Sequence, residues 1–336
     1  MTSTHTLPVG TEHEATHTAL KMNDLTSTEP RLGLGLAHSG VFANLASVVE
    51  MATKAELLGF SSLWAMDRLM APVSPRTPYP ASADGVLPLE QHNVFDPIIA
   101  LAIAATATER IRLGTNVLVA PFYSPIVLAR SLAAIDIACN GRLIVGLGLG
   151  WSADEFDAVG VPQRHLAGHL EEFLDVLEAV WADGVSSHRG ERFHIAPASI
   201  LPKPIQRPRP PLLLAAYTPR GLERVARRAD GWTPAGLPIE AISPMYGVVR
   251  DMAAEHGRDP DAVQLFVRAN ASVTDRPLGK DRPAYHGSTD QITQDLDATL
   301  STGAHEIILE LQGCAASVDE LLELATVMTR PVFAAI

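Results

Sequence analysis

The stretch Ile111–Pro162 reads I-R-L-G-T-N-V-L-V-A-P-F-Y-S-P-I-V-L-A-R-S-L-A-A-I-D-I-A-C-N-G-R-L-I-V-G-L-G-L-G-W-S-A-D-E-F-D-A-V-G-V-P. An apolar run of strand length comes first, bounded by Arg112 and Pro121. Ser124-Pro125 then opens a helical pattern, serine as N-cap and proline in the first turn. Ile126, Ala129, Ala133 and Ile137 give that helix an apolar stripe, and Asn140-Gly141 is a C-terminal stop signal. A second apolar strand, Arg142–Gly150, follows at once. One strand–helix–strand unit of this kind implies parallel pairing with a right-handed crossover.

Gly146, Gly148 and Gly150 alternate along the second strand, so all three fall on one face. Glycine weakens a strand interior and offers nothing to pack. Three in register at a strand's C-terminal end, followed by Trp151, suggest that something flat or bulky lies close to the backbone. A ligand is the favoured reading; crowding by a neighbouring side chain or a bulge is the alternative. The spacing G-x-G-x-G lies inside a strand and differs from the G-x-G-x-x-G that opens a helix in dinucleotide folds.

Outward from this unit, strand and helix signals alternate from Arg31 to the end. Strands are predicted at 32–38, 61–68, 111–121, 142–150, 212–217, 231–235, 263–273 and 306–311. Each precedes a helical segment, and a hairpin is expected within 186–195. Eight such units predict an α/β fold closed as a (β/α)8 barrel, one domain over 31–336. Residues 1–30 are polar and threonine-rich, carry His5, His13 and His17 without period, and are expected to form a flexible extension. In a barrel the loops after the strands gather at one mouth, and active sites sit there. The long second loop, 69–94, contains Tyr79 and several prolines and is a candidate lid.

Composition narrows the function. The 336 residues are 47% hydrophobic, with 26 Lys plus Arg against 38 Asp plus Glu and a net charge of −12. So acidic a chain is a poor general binder of nucleic acid or of an anionic membrane. No apolar run approaches the roughly 20 residues needed to span a bilayer, and a soluble cytoplasmic protein is expected. Cys139 and Cys314 have no metal or redox spacing. His165 and His169 lie four apart on a predicted helix, but no third ligand is evident and no metal is expected.

Four segments carry a family resemblance: G-F-S-S-L-W-A-M-D (59–67), R-I-R-L-G-T-N-V-L-V-A-P (110–121), N-G-R-L-I-V-G-L-G-L-G-W-S-A-D-E-F-D-A-V-G-V-P (140–162), and L-P-K-P-I-Q-R-P-R-P-P-L-L-L-A-A (201–216) with A-D-G-W after it. Through them the chain resembles the luciferase-like monooxygenase superfamily, specifically its branch using the deazaflavin coenzyme F420. The resemblance implies a planar ring across the barrel mouth, backed by a non-prolyl cis peptide at Asn116–Val117. It also implies that Asp67 and its successor approach the ring or substrate.

Many relatives have histidine after that aspartate; this chain has Arg68, which cannot serve as an ordinary acid–base group. Arg68 is read either as binding an anionic ring edge or substrate carboxylate, or as part of a surface ion pair. His38 is the remaining candidate proton carrier; a hydrogen-bonded wall residue is the alternative, and the commoner role of a lone histidine at such a place. Gly146, Gly148, Gly150, Trp151, Ala216, Tyr217, Thr218, Ala235 and Gly236, at the ends of the later strands, join Asn116 and Val117 as candidate cofactor contacts. Trp151 stands where sugar-phosphate-oxidising relatives carry an acid, which argues against that substrate class.

A phosphate site has a case from the residues themselves. Thr218 can cap the helix beginning at Pro219, whose N-terminus suits an anion. Between Lys203 and Arg228 stand seven basic residues and one acid, Glu223. That excess suits the oligoglutamate tail of coenzyme F420, which flavin mononucleotide (FMN) lacks; a solvated outer helix face is the alternative.

Three functions remain open on the sequence: F420-dependent hydride transfer, a reduced-FMN monooxygenase supplied by a separate reductase, or a non-catalytic flavin-binding barrel. Met66, Leu69, Phe122, Tyr123 and Trp151 suggest a hydrophobic small-molecule substrate, with barrel packing as the equal alternative. A homodimer is expected from the resemblance alone.

Overall fold

The computed structural model describes residues 30–82 and 84–333. The expected extension, with His5, His13 and His17, lies outside them up to residue 29. Eight parallel strands form the barrel: β1 (Arg31–Gly35), β2 (Ser62–Ala65), β3 (Arg112–Thr115), β4 (Leu143–Gly148), β5 (Leu212–Leu214), β6 (Gly231–Trp232), β7 (Gln264–Asn270) and β8 (Glu306–Glu310). Each pairs with its neighbours in chain order, and β1 pairs with β8, so the sheet closes on itself. Closure leaves no sheet edge unpaired.

Outside stand α1 (Leu45–Leu57), α2 (Pro97–Ala107), α3 (Pro125–Ala138), α5 (Leu166–Trp181), α6 (Pro219–Arg228), α7 (Ile239–Glu255), α8 (Thr289–Leu300) and α9 (Val318–Phe333), with the short α4 (Ala153–Ala158) after β4. Their boundaries follow local chemistry. Asn140 and Gly141 adopt φ of 53° and 76° and end α3 as their residue types predict. Ser152 and Thr218 cap α4 and α6 by accepting from the Glu155 and Gly221 N–H groups. Ser124 occupies the N-cap position of α3, but its hydroxyl makes no capping bond; Pro125 starts that helix.

Alternation along the strands divides the core in two. Trp64, Ile144, Leu213, Phe266 and Ile308 fill the barrel interior, while residues of opposite parity such as Leu143, Val145 and Leu147 pack against the helices. The hairpin pairs Val185–Arg189 with His194–Ser199, a few residues later in its second arm than predicted.

The largest departure is at the third strand. β3 stops at Thr115, the Asn116–Val117 peptide is cis as the resemblance implied, and Leu118–Val119 pairs onward with Leu147 and Gly148 of β4. The predicted single strand 111–121 is therefore two pieces around a bulge. Among the described residues no helix is long and apolar enough to cross a membrane.

Candidate active site

At the C-terminal mouth the strand ends enclose a cavity of about 610 Å³, within the range usual for small-molecule sites. Asp67 and Arg68 line it from β2, and Asn116 and Val117 from the bulge after β3. Gly148, Gly150 and Trp151 line it from β4, Ala216, Tyr217 and Thr218 from β5, and Ala235 and Gly236 from β6. Two of the predicted catalytic and cofactor-contact residues are not in its wall.

His38 is one of these. It is fully buried, with Nδ1 2.6 Å from the Leu36 carbonyl and Nε2 accepting from the Met66 N–H at 3.2 Å. Both ring nitrogens are engaged by backbone, which fixes the ring and keeps it from the cavity as a proton carrier. Gly146 is the other. It faces the barrel interior as its parity predicts, but a Cβ there would lie 2.0 Å from the Thr115 carbonyl oxygen.

The room left by the glycines is thus taken by the chain itself. A Cβ on Gly148 would meet Val117 Cγ2 at 2.6 Å, and one on Gly150 would meet Val119 Cγ1 at 2.6 Å. Gly150 also sits at φ 75°, beyond the strand's end, so strand alternation does not govern it. The alternative reading, crowding by a bulge, is the correct one for Gly146. Gly148 and Gly150 both seat the bulge and line the cavity.

Four hydrogen bonds pin that bulge. The Asn116 N–H donates to Ala65 O (2.8 Å) and its side-chain amide to Thr233 Oγ1 (3.0 Å). The Asn116 carbonyl accepts from Arg268 Nη1 (2.6 Å), and the Val119 N–H donates to Asp67 Oδ2 (2.9 Å). The Tyr123 hydroxyl donates to the same Asp67 oxygen at 3.0 Å. Oδ1 of Asp67 has no partner among the described residues. Burial pushes the Asp67 carboxyl up to about 6, against the opposing pull of those two donors. The Tyr123 hydroxyl is raised by burial and by the adjacent carboxylate.

Arg68 forms neither a surface ion pair nor an unengaged anion receptor. Its Nη1 donates to Glu155 Oε2 at 2.8 Å, with side chains only 7% and 3% exposed. Glu155 Oε1 also accepts from the Leu69 N–H at 2.8 Å. The guanidinium lies 4.9 Å from the Trp151 ring centre, and Trp151 meets Tyr79 of the long loop edge-on at 5.4 Å. Tyr79, Pro80 and Ala81 line the cavity, so this loop does border the site. Of the residues thought to signal an apolar substrate, Met66 and Trp151 line the cavity; Leu69, Phe122 and Tyr123 do not.

The basic run is also changed by its surroundings. Arg224 and Arg227 pair with Glu171 of α5, and Arg228 pairs with Glu171, Asp175 and Glu178. Arg207 pairs with Asp183 and Arg209 with Asp230, while Lys203 donates to the Val180 carbonyl and Ser186. Of the seven, only Arg220, exposed in the first turn of α6 and lining the cavity, has neither an ion-pair nor a hydrogen-bond partner among the described residues. The local excess of positive charge is cancelled in space, chiefly by one helix.

Glu155 and Arg268, central to this geometry, were missed from the sequence as site residues. Glu155 reads as an ordinary first-turn acid of α4. Arg268 had a usable signal: a cation two residues after inward-facing Phe266 in a strand must point into the barrel. Its Nε and that of Arg68 are buried without acceptors among the described residues. Apolar walls and a capped helix N-terminus beside the exposed Arg220 fit a flat ring with an anionic tail.

Comparison with known proteins agrees with this architecture. The family model described as luciferase-like monooxygenase matches residues 22–286. An uncharacterised protein of Mycobacterium tuberculosis is 34% identical over 220 residues, 65% of this chain and 78% of that one. The oxygenase component of a flavin-dependent trigonelline monooxygenase from Acinetobacter baylyi is 29% identical over 184 residues, 54% of this chain and 51% of its own. An F420-dependent secondary alcohol dehydrogenase superposes with a TM-score of 0.73 at 16% identity, covering 91% of this chain and 99% of that one; at that identity the likeness concerns the fold. The matched stretch, most of the barrel and all of the cavity's strand ends through β7, places this chain in the luciferase-like monooxygenase family.

Proposed function

We propose that the barrel mouth holds a flavin-type redox ring, and that the chain is an oxidoreductase transferring hydride between coenzyme F420 and a small, apolar organic substrate. One observation carries this reading: Val117, seated on the β4 glycines, and Arg220, at the capped start of α6, open onto the same cavity. That juxtaposes a flat apolar wall with an anion-binding end. The ring, when bound, supplies the hydride chemistry.

The chain's own residues do the rest. Val117, Gly148 and Gly150 offer the flat wall, while Trp151, Tyr79 and Leu237 exclude water from the slot. The α6 N-terminus and Arg220 suit a phosphate. Asp67, with its carboxyl raised to about 6 and Oδ1 unengaged, can hold a proton at the cavity wall near neutral pH. Arg68 acts through Glu155, keeping Trp151 and the start of the long loop in place.

A second reading, a reduced-FMN monooxygenase fed by a separate reductase, draws on two observations. The basic run that favoured an oligoglutamate tail is neutralised by α5, and a curated relative is a flavin-dependent oxygenase component. Anaerobic titration of the purified chain with both reduced rings, followed by oxygen admission, separates the readings. Tight F420 binding with substrate reduction supports the first, and FMN-dependent oxygen uptake the second. Ring binding without either activity leaves the non-catalytic flavin-binding barrel, and binding of neither ring refutes all three readings. Sedimentation in the same buffer tests the proposed homodimer.

A further inference from the structure

Arg268 stands on β7 two residues beyond Phe266, on the inner face and nearer the mouth. A guanidinium in that place is costly unless it is paired, and two of its three nitrogens are. Nη1 donates to the Asn116 carbonyl at 2.6 Å, across 152 positions of sequence, and is that oxygen's one donor among the described residues. Nη2 donates to Glu310 Oε2 at 3.2 Å. Behind Glu310, the Gln312 side-chain amide donates to Glu310 Oε1 at 3.0 Å. Gln312 Oε1 in turn accepts from the His38 and Ser39 N–H groups, both at 2.8 Å, and from the Ser39 hydroxyl at 2.9 Å. An unbroken polar chain therefore runs from the end of β1, through β8 and β7, to the bulge after β3.

We propose that Arg268 is a positioning residue for ring binding. It fixes the Asn116 carbonyl, and through it the face that Val117 presents to the cavity. Val117 is then held between the β4 glycines on one side and the Arg268 tether on the other. The planar guanidinium meets the carbonyl with one nitrogen and the Glu310 carboxylate with another, a fixed fork that the point charge of an ammonium on a flexible stem does not reproduce. The role explains why a cation occupies an inward position two residues beyond the buried ring of Phe266. The ring-binding half of the inference rests on the proposed function; the tether itself does not.

The test uses the full chain and the variants Arg268→Met and Arg268→Ala, with two readouts. Hydrogen exchange is followed at the Val117–Val119 amides against those of Leu143–Leu147. Binding of oxidised FMN and F420 is followed by fluorescence quenching. Loss of a charge-assisted bond predicts exchange at Val119 faster by about tenfold, with β4 unchanged. It predicts a similar loss of affinity for whichever ring the parent chain binds. Millimolar methylguanidinium restores affinity to Arg268→Ala, a response that general destabilisation would not give.

Unchanged exchange at Val117–Val119 overturns the tether. Faster exchange with unchanged ring affinity, or a loss of affinity that methylguanidinium does not relieve, overturns the positioning role. If the parent chain binds neither ring, the proposed function fails and the positioning role with it, while exchange still decides the tether. Should both variants melt below the assay temperature, Arg268→Lys carries the same two expectations.

Discussion

Replacing Gly146 by alanine tests the central steric feature of the mouth. The added Cβ would sit 2.0 Å from the Thr115 carbonyl oxygen, whereas real Cβ atoms essentially never approach closer than 3.0 Å. β3 and β4 must therefore part by about 1 Å at this level, and the obstacle is backbone, which has no rotamer to change. Parting also loosens the two bonds that the Thr115 hydroxyl makes to the Gly146 N–H and carbonyl, each 2.8 Å. Overpacking costs about 1–3 kcal/mol and each weakened bond up to about 1 kcal/mol, so about 3–4 kcal/mol is expected. With an unfolding entropy of about 2.1 cal/mol/K per residue, that lowers the melting temperature by about 4–6 °C. Calorimetry reads this directly. Gly247→Ala is the control: nothing lies within 4 Å of its Cβ position, inside α7. It should stabilise by about 0.5–1 kcal/mol. A Gly146→Ala protein that melts with the parent chain would refute the claim that the bulge fills the glycine face.

Glu155→Ala strands the Arg68 guanidinium in a buried site and should cost about 3–5 kcal/mol in urea denaturation, whereas Arg68→Met with Glu155→Leu should recover most of it. An equal loss in the single and double variants would contradict the pairing. Asp67, raised by burial to about 6, adds stability that is full below its unfolded value of 3.8 and lost as pH rises through about 6. Relative to Asp67→Asn, the parent chain should therefore lose about 2–3 kcal/mol between pH 4 and pH 7; a constant difference would show that the carboxyl titrates normally. Arg220→Ala should weaken binding of a phosphate-bearing ring in a salt-dependent way. Arg227→Ala, whose partner is Glu171 on the outer helices, should not, and equal effects would place the anion elsewhere.

The elements were legible because their signals are local. The stop at Asn140-Gly141, the caps at Ser152 and Thr218, and the strand parity around Ile144 each depend on a few adjacent residues. The strand ends so placed put most of the cavity wall where it was predicted. What failed was whatever needed a partner distant in sequence. Three glycines announce an absent side chain, but not that Thr115, Val117 and Val119 take the room. His38 reads as either a proton carrier or a hydrogen-bonded wall residue; the Leu36 and Met66 backbone supply the hydrogen bonds, and the ring is not part of the cavity lining. Seven bases against one acid read as an anion site until α5 brings Glu171, Asp175 and Glu178 alongside.

That last cancellation bears on what the mouth can recognise. Three cavity-lining guanidiniums are each paired with a carboxylate: Arg68 with Glu155, Arg224 with Glu171 (which Arg227 and Arg228 share), and Arg268 with Glu310. A buried ion pair resists any ligand that would capture one partner, because the other is left desolvated and alone. Two charged groups of the wall escape such pairing, Asp67 after β2 and Arg220 after β5, three strands apart around a ring of eight. The cation is exposed and suits an anionic tail reaching out of the slot. The acid is buried, lies near its titration point at neutral pH, and has only uncharged donors on its carboxylate. Between them the slot offers Val117, Trp151, Tyr79 and Leu237. On the proposed function, a site arranged in this way would orient its ring by the one anionic end and accept an uncharged reacting partner at the other, for either of the two rings.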